Sequence, residues 1–277
     1  MKRYLGKVIL FVVLWLTVLG VTFPLIWMVT TSFKPPQEVT ASPPTLFPKE
    51  FTTVHFQELF KLTKFSTYFI NSVIVAGSVT IFTIIFSTLG GYALARHKKA
   101  RWMKNISRSV LLAYVFPQIL LVIPVFVIIK KMGLSDSLPG LILTHVTLIL
   151  PFTLMLLKTY FESIPIDYEE SAMVDGANRL QSLLYVVIPM ASPGILSTAI
   201  FGFIEGWNEF LFALVLISTD AKRTLPVGIS FLLGRTAIYS WGMLMAAAVA
   251  ATIPALIFFM LIQRNLVEGK MAGGIKG

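Results

Sequence analysis

Two acidic residues stand where acid is costly. Glu205 and Glu209 lie one helical turn apart within the apolar stretch 193–217, a spacing that puts both carboxylates on one helix face. A charge at the centre of a bilayer costs about 2.5–3.5 kcal/mol on insertion scales. Such a pair is kept where it meets water, a polar helix contact or a proton. Trp207 and Asn208 sit beside it and add an aromatic face and an amide. Glu205, Trp207, Asn208 and Glu209 are therefore candidates to line a polar path. The competing role is bracing one helix against another. As acid and base, Glu205 and Glu209 would also suit a membrane-embedded enzyme.

A second group of acids, Asp167, Glu169, Glu170 and Asp175, falls in "SIPIDYEESAMVDGANRLQSLLYVVIPM", residues 163–190. Other chemistry is thin. No GxxxxGK[ST] loop occurs, so any ATP must be bound by another chain. There is no HExxH, and His55, His97 and His145 are scattered. The sequence has no cysteine, hence no disulfide and no thiolate. No catalytic residue, metal ligand or cofactor is assigned.

The elements that must hold these acids are read from where charge is missing. Of the 277 residues 56% are hydrophobic and 13% charged, against about 25% charged in a soluble domain. No Asp, Glu, Lys or Arg occurs in 8–33, 65–95, 109–129, 137–157 or 236–263. Crossing a bilayer takes about 20 apolar residues in a helix. With 193–217, these runs predict six transmembrane helices, at about 8–31, 69–94, 109–129, 138–158, 193–217 and 239–262. The fold class is an all-α integral membrane protein, one transmembrane domain over 1–277. The runs do not alternate, which argues against a β-barrel. Pro24, Pro117, Pro124, Pro151 and Pro254 lie in the spans and predict kinks.

The net charge of +10 comes from clusters. Lys2, Arg3 and Lys7 precede the first span. Arg96, Lys98, Lys99, Arg101, Lys104 and Arg108 separate the second and third. Arg264, Lys270 and Lys276 follow the sixth. Six spans put all of them on one side, which the positive-inside rule makes cytoplasmic, with both termini. A basic loop near anionic lipid explains them without nucleic acid. The N-terminal apolar run is too long for a signal peptide and reads as a retained span. Outside the membrane, 34–50 reads as an extended Pro-rich piece and 52–62 as a short amphipathic helix lying at the membrane interface. Residues 218–238 resemble a half-buried re-entrant turn.

The largest cytoplasmic segment is 159–192. Pro165 blocks a helix running in from the membrane. Asp167 and Glu170 have the spacing of a capping box. Gly176 is placed to end the first helix in a left-handed turn. Asn178 with Gln181 starts a second, whose Leu180, Leu183, Leu184 and Val187 form one apolar face; Pro189 and Pro193 close it. The result is a cytoplasmic helix-turn-helix. Its first helix is short, acidic and small-faced, a shape suited to another protein's groove.

These residues resemble a known loop. Glu170-Ser171-Ala172, three residues, Gly176, nine residues and Val186-Val187-Ile188-Pro189 match the EAA loop of ABC-importer permeases, whose consensus is EAA, three residues, G, nine residues, IxLP. Ser171 replaces the second Ala, and Val186 and Ile188 replace Ile and Leu. "GWNEFLFALVL" in span five and the end "GKMAGGIKG" resemble the carbohydrate importers, the smaller maltose-type permease partner in particular.

The resemblance covers essentially the whole chain and carries expectations. The chain would be half of a sugar-translocating pore in the inner membrane, paired with a second permease subunit as a heterodimer. A cytoplasmic ATPase dimer would dock on the loop through Glu170, Ser171, Ala172, Asp175, Gly176 and Pro189. An extracytoplasmic substrate-binding protein would deliver the sugar. A tail containing Gly273, Gly274 and Gly277 would reach the ATPase interface. A channel independent of ATP is the further alternative. Which sugar is carried does not follow from these residues.

Overall fold

The computed structural model describes residues 2–97, 100–233 and 241–267. All regular structure among them is helical. Four helices are long and apolar enough to cross a membrane: α1 (Lys2–Ser32), α4 (Phe65–Arg96), α7 (Leu138–Ser163) and α14 (Trp241–Val267). α2 (Pro36–Val39) and α3 (Val54–Leu62) are short.

Bent pairs raise the number of candidate spans to as many as six. α5 (Arg101–Val115) and α6 (Gln118–Lys131) meet at 105°. Pro117 has no N–H and disfavours helix in the residue before it; Phe116 accordingly turns extended, with ψ 129°. The run 109–129, expected as one helix, is thus broken at Phe116–Pro117. α11 (Ser192–Asn208) stands at 78° to the helical segment before it. The stretch expected as span five, 193–217, is also interrupted: α11 stops at Asn208, and α12 (Leu211–Leu216) starts anew. Pro24, Pro124, Pro151 and Pro254 lie within helices.

The chain divides into two compact units, 1–66 with 228–253, and 67–227 with 254–277. In the second, α4 and α11 approach through small residues. A Cβ on Gly206 would stand 3.0 Å from the Ala76 Cα, and one on Gly202 3.4 Å from the Thr80 Cα. Both pairs are spaced four apart, the small-residue pattern that lets membrane helices touch at backbone distance. One apolar cluster here joins Val75, Val79, Leu141, Ile149, Phe212 and Leu216. A second joins Ala95, Leu157, Phe161, Ile164, Leu183 and Val187, and supports the acidic loop.

At the other end of this unit a carboxylate ties two turns. Asp136, at φ +50°, accepts from the Ser218 and Thr219 amides at 2.9 Å and from the Thr219 hydroxyl at 2.6 Å. The Thr219 bonds hold its carboxyl well below the usual range. A 3-10 turn, Asp220–Lys222, and α13 (Leu225–Leu233) follow.

In the first unit, the extended piece expected over 34–50 is instead folded around a buried lysine. The Lys34 ammonium lies 4.5 Å above the Trp27 ring centroid and donates to the Thr45 carbonyl at 2.5 Å. A buried charge needs such partners. α3 forms where the amphipathic helix is expected, but His55 and Leu59 are fully buried, so it packs on protein. The His55 Nε2 donates to the Lys34 carbonyl at 3.0 Å. Gly242 leaves room for this imidazole, since a Cβ there would fall 2.1 Å from Nε2.

Candidate functional site

The acidic loop folds as two helical pieces around a reversal. α8 (Asp167–Val174) ends at Asp175. Gly176 then takes φ +94°. Its amide bonds the Met173 carbonyl at 3.1 Å, and the Ala177 amide bonds Ala172 at 3.0 Å, the paired bonds of a Schellman turn. α9 (Arg179–Ser182) opens on a complete capping box. The Asn178 Oδ1 accepts from the Gln181 amide at 2.9 Å, and the Gln181 Oε1 from the Asn178 amide at 2.8 Å.

Three expectations are corrected. The capping box at Asp167 and Glu170 does not form, because Asp167 is already inside the helix. Ile166 stands at the cap with helical φ and ψ, and its carbonyl accepts from the Glu169 and Glu170 amides. The apolar face of the second helix is divided: Leu183 and Val187 are buried, Leu180 and Leu184 exposed. Leu183–Val187 is a π turn in which the Ile188 amide reaches back five residues to Leu183. The extra residue per turn rotates the stripe. Pro189 does not end the helix but sits in the first turn of α10 (Ile188–Met190).

What fixes α8 is a buried charge pair. The Arg96 Nε, at the end of α4, donates to the Glu169 Oε1 at 2.5 Å, and Nη2 contacts the same oxygen. Two further guanidinium bonds reach the carbonyls of Phe161, at 2.8 Å, and Ile164, at 3.2 Å. The Tyr92 hydroxyl donates to the Glu169 Oε2 at 2.6 Å. Glu169 is only 4% exposed. Arg96 thus joins α4, the end of α7 and α8 through one planar fork, a geometry lysine cannot reproduce. In the sequence Arg96 is one of a basic cluster; the signal for a separate role is an acid, Glu169, adjacent to the EAA-like motif and not part of it.

Glu169 turns inward and the rest of α8 faces out. Glu170, Ser171, Asp175 and Gly176 are exposed and share one short surface; Ala172 is half-buried. Pro189, on α10, is also exposed. Tyr168, Met173 and Val174 add apolar area, with Val174 86% exposed. Gly273, Gly274 and Gly277 lie outside the described residues.

The membrane acids do not share one face of a continuous helix. Glu205 is half-buried within α11. Glu209 follows the end of α11 and caps α12. Its Oε1 accepts from the Phe212 amide at 2.6 Å and its Oε2 from the Ala213 amide at 2.8 Å. A helix start away from water needs such acceptors for its first amides. Trp207 is buried, stacked on Phe203 at 5.8 Å between centroids and edge-on to Phe69 at 5.7 Å. Asn208 is exposed, and its amide bonds the Ile204 carbonyl at 3.0 Å.

Residues 87–271, which include the loop and its Arg96 anchor, match the family described as binding-protein-dependent transport system inner membrane component. The chain belongs to that family. Relatives match along nearly its full length. The inner membrane ABC transporter permease protein YcjP of Escherichia coli K12 is 37% identical, over 100% of this chain and 99% of that protein. The trehalose/maltose transport system permease protein MalG of Thermococcus litoralis is 37% identical, over 92% and 91%. The sulfoquinovosyl glycerol transport system permease protein SmoH of Agrobacterium fabrum is 36% identical, over 98% and 95%. A chain from the crystal structure of a bacterial ABC transporter that imports alginate shares the fold. Its TM-score is 0.82 at 24% identity, over 95% of this chain and 97% of that one.

The permease is therefore a multi-pass inner-membrane subunit of an ATP-driven importer, and its ATPase is a separate subunit. Family membership displaces the membrane-enzyme and ATP-independent-channel alternatives.

Proposed function

We propose that this permease forms half of a pore for a sugar or a small glycoside, and that α8 is the element on which the ATPase acts. Named relatives carry trehalose/maltose, sulfoquinovosyl glycerol and diacetylchitobiose, which are all glycosides of few sugar units. The observation that carries the coupling role is the division of α8. Glu169 is buried against Arg96 while Glu170, Ser171, Val174 and Asp175 stand exposed. A force applied to the exposed face has a rigid path into α4 and α7.

In this proposal the loop 159–192, residues 96–108 and both termini face the cytoplasm. The pore partner is a second, non-identical permease, and a binding protein delivers the substrate on the other side. Glu205 and Asn208 are the candidates for the path, while Glu209 and Trp207 shape the break beside it. The tail with Gly273, Gly274 and Gly277 contacts the ATPase.

The test has two arms. A cysteine at Ser171 is expected to cross-link to the co-expressed ATPase, and uptake is scanned over di- and oligosaccharides in cells lacking the chromosomal copy. Failure of the cross-link removes the coupling role. Uptake of none of the glycosides, with the complex assembled, removes the substrate class.

A further inference from the structure

Away from the loop's exposed face, a small cavity of about 200 Å³ lies among α4, α5 and α7. Leu94 and Met103 form its apolar wall, Ser107 contributes a hydroxyl, and Lys104, Arg108 and Lys158 contribute three cations. No carboxylate among the described residues lines it. Lys158 lies 3.4 Å from the Ser107 hydroxyl and 3.9 Å from Glu162, one turn along its own helix. The side chains of Lys104 and Arg108 have no ion pair among the described residues.

The helix that carries the cations continues in a telling way. Lys104 and Arg108 are spaced four apart on α5, and the same stripe runs on through Leu111, Leu112 and Val115. Leu112 is 74% and Val115 77% exposed. At about 1.5 Å per residue, Val115 lies roughly 10 Å beyond Arg108 along the axis. One side of α5 is thus cationic at its start and bare hydrocarbon further on. A free phosphate or nucleotide has no use for the second half; an amphiphile with an anionic head uses both. Trp102, 60% exposed near the start of α5, is the kind of residue that sits at headgroup level.

We propose that Lys104, Ser107, Arg108 and Lys158 form a binding site for the phosphate of an anionic glycerophospholipid, whose acyl chains lie along Leu111, Leu112 and Val115. The lipid fills the space between α5 and α7 and fixes α5 at its angle to α6. Basic pockets between membrane helices hold anionic headgroups by the same physics.

The experiment uses the intact transporter complex, purified in detergent and offered phosphatidylglycerol and phosphatidylcholine of matched acyl chains. Bound lipid is counted by native mass spectrometry. The wild type is expected to retain phosphatidylglycerol preferentially, and each cation removed in Lys104→Gln and Arg108→Gln to lower that preference about fivefold. Arg108→Lys should keep most of it. Equal retention of the two lipids overturns the proposal. So does loss of the preference on adding excess inorganic phosphate, which would make this a free-anion site. Loss of the ATPase subunit from the double variant Lys104→Gln with Arg108→Gln, with lipid retention unchanged, also overturns it, since the cations would then face a protein. Lys104→Gln alone is measured if the double variant does not accumulate, and an unchanged preference is again decisive against the site.

Discussion

Arg96 and Glu169, 73 residues apart in sequence, form a buried ion pair in which the arginine also binds the Phe161 and Ile164 carbonyls. Removing one partner of a buried pair leaves an uncompensated charge and costs about 3–5 kcal/mol. Glu169→Gln is therefore expected to lower the thermal stability of the purified permease complex. Arg96→Lys keeps the charge but loses the fork; it should insert normally and transport poorly. The double variant Arg96→Met with Glu169→Leu should be less destabilised than the sum of its singles. Strict additivity, read from unfolding of the complex in detergent, would mean the two residues do not act as one unit.

Gly176 tests the reversal separately from the anchor. A Cβ there meets nothing within 4 Å, so the only obstacle is its φ of +94°. A side chain in this region costs about 1–2 kcal/mol. Gly176→Ala and Gly176→Val should therefore reach the membrane at wild-type levels and pair with the second permease, but couple ATP hydrolysis to uptake weakly. Gly176→Asn, which tolerates positive φ, should retain more uptake than either. Equal uptake by all three would show that the angle of α8 is not set by this turn.

Glu209 uses both carboxylate oxygens on backbone amides. An amide side chain keeps one acceptor and turns an N–H donor toward the other amide. Leaving a buried donor unsatisfied costs about 1–3 kcal/mol. Uptake is expected to fall from wild type to Glu209→Gln to Glu209→Ala, with complex assembly falling in the same order. If Glu209→Ala assembles and transports normally, the cap is dispensable. If assembly is intact in all and only uptake falls, Glu209 belongs to the path.

His55 gives a pH dependence outside the membrane. Burial holds its pKa below the ordinary 6.5, so the folded state favours neutral imidazole and the unfolded segment binds the proton more readily. Stability of this segment is complete above pH 6.5 and declines as pH falls through that value toward the lower folded pKa. Amide protection across 34–62, taken as exchange relative to the intrinsic rate at each pH, should fall between pH 7 and pH 5 in roughly that window. His55→Gln should abolish the change; persistence of the same loss of protection in that variant would assign it to another group.

How much of this was legible beforehand depends on distance along the chain. The gaps in charge mark every long apolar helix, because insertion depends on composition within one continuous window. The turn at Gly176 and the cap at Asn178 are also legible, since each is built from residues within a few positions of one another. The same locality made the EAA-like spacing readable as a short helix and its reversal.

The tertiary structure decided the rest. Whether Glu169 or Glu170 turns inward depends on Arg96 and Tyr92, which arrive from another helix. Whether Glu205 and Glu209 share a face depends on a break after Asn208, where Glu209 supplies acceptors that only a new helix start requires. The stripe of Leu180, Leu183, Leu184 and Val187 was split by a π turn that lets Leu183 and Val187 pack against the α7 end. Composition fixes what must leave water. Which polar group meets which is set by packing between segments far apart in sequence, because a buried charge is stable only where its partner has already been placed.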